Sequence, residues 1–193
     1  MSPILGILAS SKYIQPTAYE SIASATGTGS SGTITFSSIP STYVGLQVRG
    51  ICKSTDTVSQ YTEFYITFNG ASTNFKAHYL YGDGNAAFAG SPAYTTVIHP
   101  GWVFTNGNSN ATNNMSPILI DIEDYKSTTK NKTARVVSAL ENNGASAGID
   151  SHQISLASGL WVDTSAINSV SIRCAAGSWT TTTQFALYGI KGA

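Results

Sequence analysis

TTTQFALYGIKGA, residues 181–193, decides the fold. In an extended chain Phe185, Leu187 and Gly189 fall on one face, and Ala186, Tyr188 and Ile190 on the other. Apolar side chains on both faces predict a strand that is covered on both sides. Chain ends fray unless something ties them down. The stretch therefore predicts a closed β domain whose chain finishes inside its own sheet.

The same period-two alternation recurs upstream. It predicts strands at 33–36, 43–53, 61–69, 75–81, 93–98, 118–125, 133–141, 153–156, 170–174 and 184–190. Turn-forming clusters separate them: TGTGSSG (26–32), SIPS (38–41), FNGAST (68–73), YGDGN (81–85), TNGNSNATNN (105–114) and ENNGASAG (141–148). Asn69-Gly70 and Asn143-Gly144 are hairpin signals, because both residue types tolerate positive φ. TSAIN at 164–168 is expected to form one short helical turn, and no longer helical period occurs. In 118–125, Ile118, Ile120 and Ile122 are expected to face inward, opposite Leu119, Asp121 and Glu123. The next segment, DYKSTTKNKTARVVS, reads as a hairpin: a polar loop, then Ala134, Val136 and Ser138 alternating with Arg135 and Val137.

Many short strands with Gly- and Asn-rich turns predict an all-β, single-domain fold, a jelly-roll-like antiparallel β-sandwich. Residues 1–16 are expected to form an N-terminal arm or edge segment, and 17–193 the sandwich. The apolar patch Ile4, Leu5, Ile7 and Leu8 lacks the basic flank of a signal peptide. The polar loop 105–117 is the expected partner-contacting segment.

Charged residues make up 10% of the chain, against about 25% in an ordinary domain. Ten basic side chains balance ten acidic ones, which argues against a nucleic-acid binder or a polybasic membrane anchor. No apolar run approaches the ~20 residues that span a bilayer. A surface carried by Ser, Thr, Asn and Gly offers little charge repulsion against self-association.

Chemistry-bearing motifs are sparse. Cys52 and Cys174 each lie on the apolar face of a strand and are expected to be buried free thiols. His78, His99 and His152 show no zinc spacing, so neither metal nor cofactor is expected. Asp121, Glu123 and Asp124 form an acidic cluster. Two strand carboxylates at i and i+2 stand roughly 7 Å apart, a spacing open to glycosidase or calcium chemistry. The plainer reading pairs them with Lys126, Lys130, Lys132 or Arg135 across the hairpin. Gly27, Gly29 and Gly32 precede a strand, so they are read as a turn and not as a phosphate loop. The sequons at Asn110 and Asn131 bear only on a secreted eukaryotic setting.

Ten tyrosines and three tryptophans exceed what one core needs. Such rings suit protein interfaces or stacking on sugars. Trp102, Trp179, Tyr94 and Tyr125 are the candidate contact residues, with a capping role at the ends of the sandwich as the alternative.

GTITFSSIPSTYVGLQVRG (32–50), YITFNG (65–70), HYLYGDG (78–84), ILIDIEDYKSTTKNKTARVVS (118–138), LASGLWVDTSAINSVSIRC (156–174) and FALYGIKG (185–192) occur in this order. Together they resemble a family of small virion structural proteins of tailed phages from marine and freshwater bacteria, cyanophages among them. The resemblance implies a non-enzymatic part of the particle, either a capsid decoration (cement) protein or a small tail or fibre module. It implies no catalytic residue. The expected partners are other virion proteins and further copies of the chain, in a homotrimer. The expected location is the virion, assembled in the host cytoplasm. The competing expectation is a receptor-binding module that holds host surface glycan through Tyr and Trp. A glycan hydrolase using Asp121 and Glu123 is the third.

Overall fold

The computed structural model describes residues 18–109, 113–141 and 152–192. Twelve strands follow one another in the order β1 (Tyr19–Thr26), β2 (Thr33–Phe36), β3 (Gly45–Cys52), β4 (Tyr61–Phe68), β5 (Phe75–Gly82), β6 (Ala87–Gly90), β7 (Ile98–Phe104), β8 (Ser116–Glu123), β9 (Lys132–Glu141), β10 (His152–Trp161), β11 (Val170–Cys174) and β12 (Gln184–Ile190). No α-helix occurs among the described residues, and 162–169 is an irregular connection where a helical turn was expected at 164–168. Hydrogen bonds from Asn168 and Ser169 N–H to the Asn69 side chain hold it extended.

The strands form an antiparallel two-sheet sandwich. The larger sheet has the order β1-β12-β3-β8-β9-β10-β5-β6 and the smaller β2-β11-β4-β7. Without β5, β6, β9 and β10, the chain passes from one sheet to the other at every step except β4 to β7, with orders β1-β12-β3-β8 and β2-β11-β4-β7. The remaining four strands extend the larger sheet, and β5, β9 and β10 pack over the edge strand β7.

The core lies between the sheets. Leu46, Val48, Ile120, Val136 and Leu187 of the larger sheet meet Phe64, Ile66, Phe68 and Ile172 of the smaller. Ile118, Ile120 and Ile122 point inward as the alternation predicts. Cys52 and Cys174 are buried and unpaired.

β12 lies within the larger sheet, bonded to β1 and β3. Only its inner face is buried; Ala186, Tyr188 and Ile190 are half-exposed. Among the described residues no second layer covers that side. The Arg49 guanidinium sits over the Tyr188 ring, 5.0 Å from its centre, and over Tyr19 at 4.8 Å.

Several boundaries differ from expectation. β7 runs from Ile98 to Phe104, downstream of the 93–98 strand predicted. Pro100 and Gly101 interrupt the sequence signal, but β7 is an edge strand with a bulge opposite Phe64 and Ile66, where Pro is tolerated. Asn69 and Gly70 both have positive φ, as expected, yet they form no hairpin. They turn the chain from β4 in one sheet to β5 in the other. The 1–16 arm, the Asn143-Gly144 turn and the Asn110 sequon lie outside the described residues.

Candidate functional site

The four candidate aromatic residues separate into two environments. Tyr125 and Trp179 are fully buried, so neither is a surface contact. Trp179 donates its indole N–H to Ile172 O at 3.2 Å and meets Phe185 edge-on at 5.4 Å. Tyr125 donates its hydroxyl to Pro40 O at 2.5 Å and accepts the Tyr43 N–H at 3.1 Å.

That corner is where the quoted motifs converge. Asn69 donates to Ala166 O and accepts from Asn168 and Ser169 N–H. Ile167 N–H bonds Tyr125 O, and Ile39 N–H bonds Asn168 O. Buried Lys132 donates to Lys130 O and Thr164 O. Trp161 stacks on Phe75 at 6.0 Å. SIPSTY, FNG, EDY, KNK, GLW and AINS are thus pieces of one end-cap, in which polar side chains tie loops that have no ladder of their own.

Tyr94 and Trp102 do come together, across the seam between β7 and β5. Trp102 is half-buried and Tyr94 is 40% exposed. Between them stands His99, its ring edge-on to Trp102 at 5.2 Å, to Tyr94 at 5.6 Å and to Tyr79 at 5.7 Å. Tyr65 closes the ring at 6.0 Å. Tyr81 continues the cluster to Trp102 at 5.1 Å and stacks on Phe88 at 4.8 Å. One carboxylate serves it: Glu63 accepts from the Tyr65 hydroxyl at 2.5 Å and the Tyr94 hydroxyl at 3.2 Å.

His99 is buried, and neither ring nitrogen has a hydrogen-bond partner among the described residues. The nearest acid is Glu63, 3.5 Å away. Burial lowers the His99 pKa, and the Glu63 charge opposes that. Burial and Glu63 together push the Tyr65 phenol up. The cluster therefore offers aromatic rims and one carboxylate around a buried imidazole, and the rims and carboxylate are groups suited to stacking on and bonding a polyhydroxylated ligand.

The acidic cluster is engaged locally. Gln47 donates to Asp121 at 2.6 Å. Glu123 pairs with Arg135, and Asp124 with Lys130 at 3.1 Å. The cross-hairpin pairing expected from the sequence is present, except that Lys132 is buried instead. His78, His99 and His152 sit on different strands, and no metal-type cluster occurs among the described residues. The Gly27–Gly32 loop leads into β2, as read from the sequence. Loop 105–117 is anchored where it is described: Thr105 and Asn108 are buried.

One surface was not singled out from the sequence. On the outer face of the larger sheet, Leu119, Val137, Leu156, Leu80 and Ala89 are successive cross-strand partners over five strands. Leu156 is 52% exposed, Leu80 51%, and the adjoining Ile154 60%. In β10 the usual order is inverted. Gln153 and Ser155 are buried, Ile154 and Leu156 face out, and neither Gln153 side-chain atom finds a partner among the described residues. The outward Leu and Ile of 153–156 were the available signal, hidden because alternation does not say which face is inside.

No protein-family model, no curated protein and no solved structure matches this chain.

Proposed function

We propose that this chain is a non-enzymatic structural component of a tailed-phage virion, a capsid decoration protein or a small tail or fibre module that works by binding copies of itself and neighbouring virion proteins. The two-sheet strand order, less its four inserted strands, is read as a jelly roll, an architecture used by viral capsid and lectin domains. Fold does not assign function. The observation that carries the reading is the apolar row Leu119–Val137–Leu156–Leu80, half-buried at Leu119 and exposed at the other three. A contiguous apolar patch of several hundred Å² marks a binding surface.

Immuno-gold labelling of intact particles tests it. Gold on heads or on tails is the expected result and tells the two locations apart. Particles without gold, from a lysate that contains the protein, would sink the proposal.

A second reading has its own support. Tyr94, Trp102 and Glu63 stand together at one seam, where they can stack on a sugar ring and bond its hydroxyls. Glycan-array binding that Trp102→Ala abolishes would favour this receptor-recognition module over the structural one.

A further inference from the structure

The outer face of β5, β9 and β10 is ordered along the strands as well as across them. Glu141 lies at one end. Ile154, Leu156, Leu80 and Val137 occupy the middle. Arg135 and Lys76 lie at the other end, level with Ser158 and Leu160. An acidic end, an apolar centre and a basic end make a surface complementary to its own reversed copy. We infer that this face is a two-fold interface with a second copy of the chain. The inference rests on the proposed self-association and names the surface that carries it.

The symmetry follows from the arrangement. A two-fold axis lying in the face, across the strands near Leu156, reverses the strand direction of the second copy. It sets β9 on β9 and β5 on β5. Arg135 then comes within reach of Glu141 of the second copy. Each contact occurs twice. A three-fold ring requires a different, heterologous surface.

Shape agrees with charge. Beside Leu156 the small Ser158 leaves a hollow of about 440 Å³, lined by His78, Leu80, Arg135, Leu156 and Ser158. Ile154, the most exposed side chain of the row, stands the same two residues from Leu156 on the other side. The two-fold operation places each Ile154 over the hollow of the other copy.

The area also suffices. Seven residue steps at about 3.3 Å and five strands at about 4.8 Å give a footprint of roughly 23 by 24 Å. That is about 550 Å² from each partner, or about 1,100 Å² in all, just above the ~1,000 Å² that a specific interface should clear. Homodimer contacts are also the more apolar class, and the inverted side chains of β10 supply such a centre. Arg135 already holds Glu123, and Glu141 holds His152. The rim pairs therefore select orientation more than they add affinity.

Sedimentation of the full chain at micromolar concentration tests the inference. The parent should be a dimer. Leu156→Arg places two like charges across the axis and should raise the dissociation constant at least a hundredfold. Its circular dichroism should not change, since Leu156 is half-exposed in the single chain. Arg135→Glu and Glu141→Arg should each weaken the dimer about two- to fivefold, and the double variant should recover the parent value. The charge-swap set decides the matter if Leu156→Arg fails to fold. A monomeric parent, a dimer or larger oligomer indifferent to Leu156→Arg, or a double variant as weak as the singles overturns the inference. Particle labelling is read independently, so gold on virions beside an unaffected oligomer would overturn this surface and leave the virion proposal standing.

Discussion

Removing one oxygen atom at Tyr125 tests the end-cap most directly. Tyr125→Phe keeps the ring and its packing but deletes a hydroxyl that donates to Pro40 O and accepts from Tyr43 N–H. The Tyr43 amide is buried and loses its partner, at about 1–3 kcal/mol. Pro40 is exposed and its carbonyl can turn to water, so that bond costs only its net value, about 0.5–1.5 kcal/mol. The sum is about 2–4 kcal/mol, a large share of the 5–15 kcal/mol typical of a domain. For a chain of 193 residues this lowers the melting temperature by roughly 5–15 °C. Differential scanning calorimetry of parent and variant reads it. Tyr94→Phe, which removes an exposed hydroxyl on Glu63, is the control and should shift melting by less than ~2 °C. If Tyr125→Phe melts with the control, the hydroxyl is not the tie that joins the 38–43 turn to the sandwich.

Asn69 separates backbone from side-chain effects: Asn69→Gly keeps the positive φ and loses three hydrogen bonds, so it should cost about 2–4 kcal/mol in urea melts, whereas Asn69→Asp retains the acceptor for Asn168 and Ser169 and should cost less. His99 should make stability fall with acidification. Burial holds its folded pKa below 6.5, so the unfolded chain binds more protons below that pH, and the loss begins near pH 6.5 and deepens as the pH falls toward the folded pKa. Melts of His99→Gln across the same range should lack that slope, and an unchanged slope would assign it elsewhere. Burial raises both thiols, Cys52 strongly, so a disulfide reagent at pH 8 should leave the native chain unlabelled and modify two thiols in urea.

Fold class was legible wherever alternation coincided with burial. The 118–125 and 133–141 segments are examples, because Ile118, Ile120, Ile122, Ala134 and Val136 all face the core. β1 escaped notice because it is an edge strand whose residues are exposed or half-buried, so no apolar period marks it. β10 extends to Trp161, beyond the 153–156 predicted, because Ala157, Ser158 and Gly159 are small and carry little hydropathic signal. The candidate site was half legible. Trp102 and Tyr94 share a cluster, but their hub is His99, whose ring partners come from β4, β5 and the 91–97 connection. Such a gathering depends on how two sheets overlie each other, which no local pattern encodes. Trp179 and Tyr125 were candidate contact rings, with capping the ends of the sandwich as the alternative; both turn inward, Trp179 to a β11 carbonyl and Tyr125 to the backbone of the 38–43 turn.

The placement of β12 between β1 and β3 has a consequence for biosynthesis. β11 likewise enters the smaller sheet between β2 and β4. While the ribosome is still making residues 27–169, neither sheet can close, because the strand that must fill each gap has yet to be translated. The nascent polypeptide carries two unzipped seams until β11 emerges and one until β12 follows, and only then can the sandwich lock. A premature stop before Gln184 would thus leave β1 and β3 without the strand that joins them.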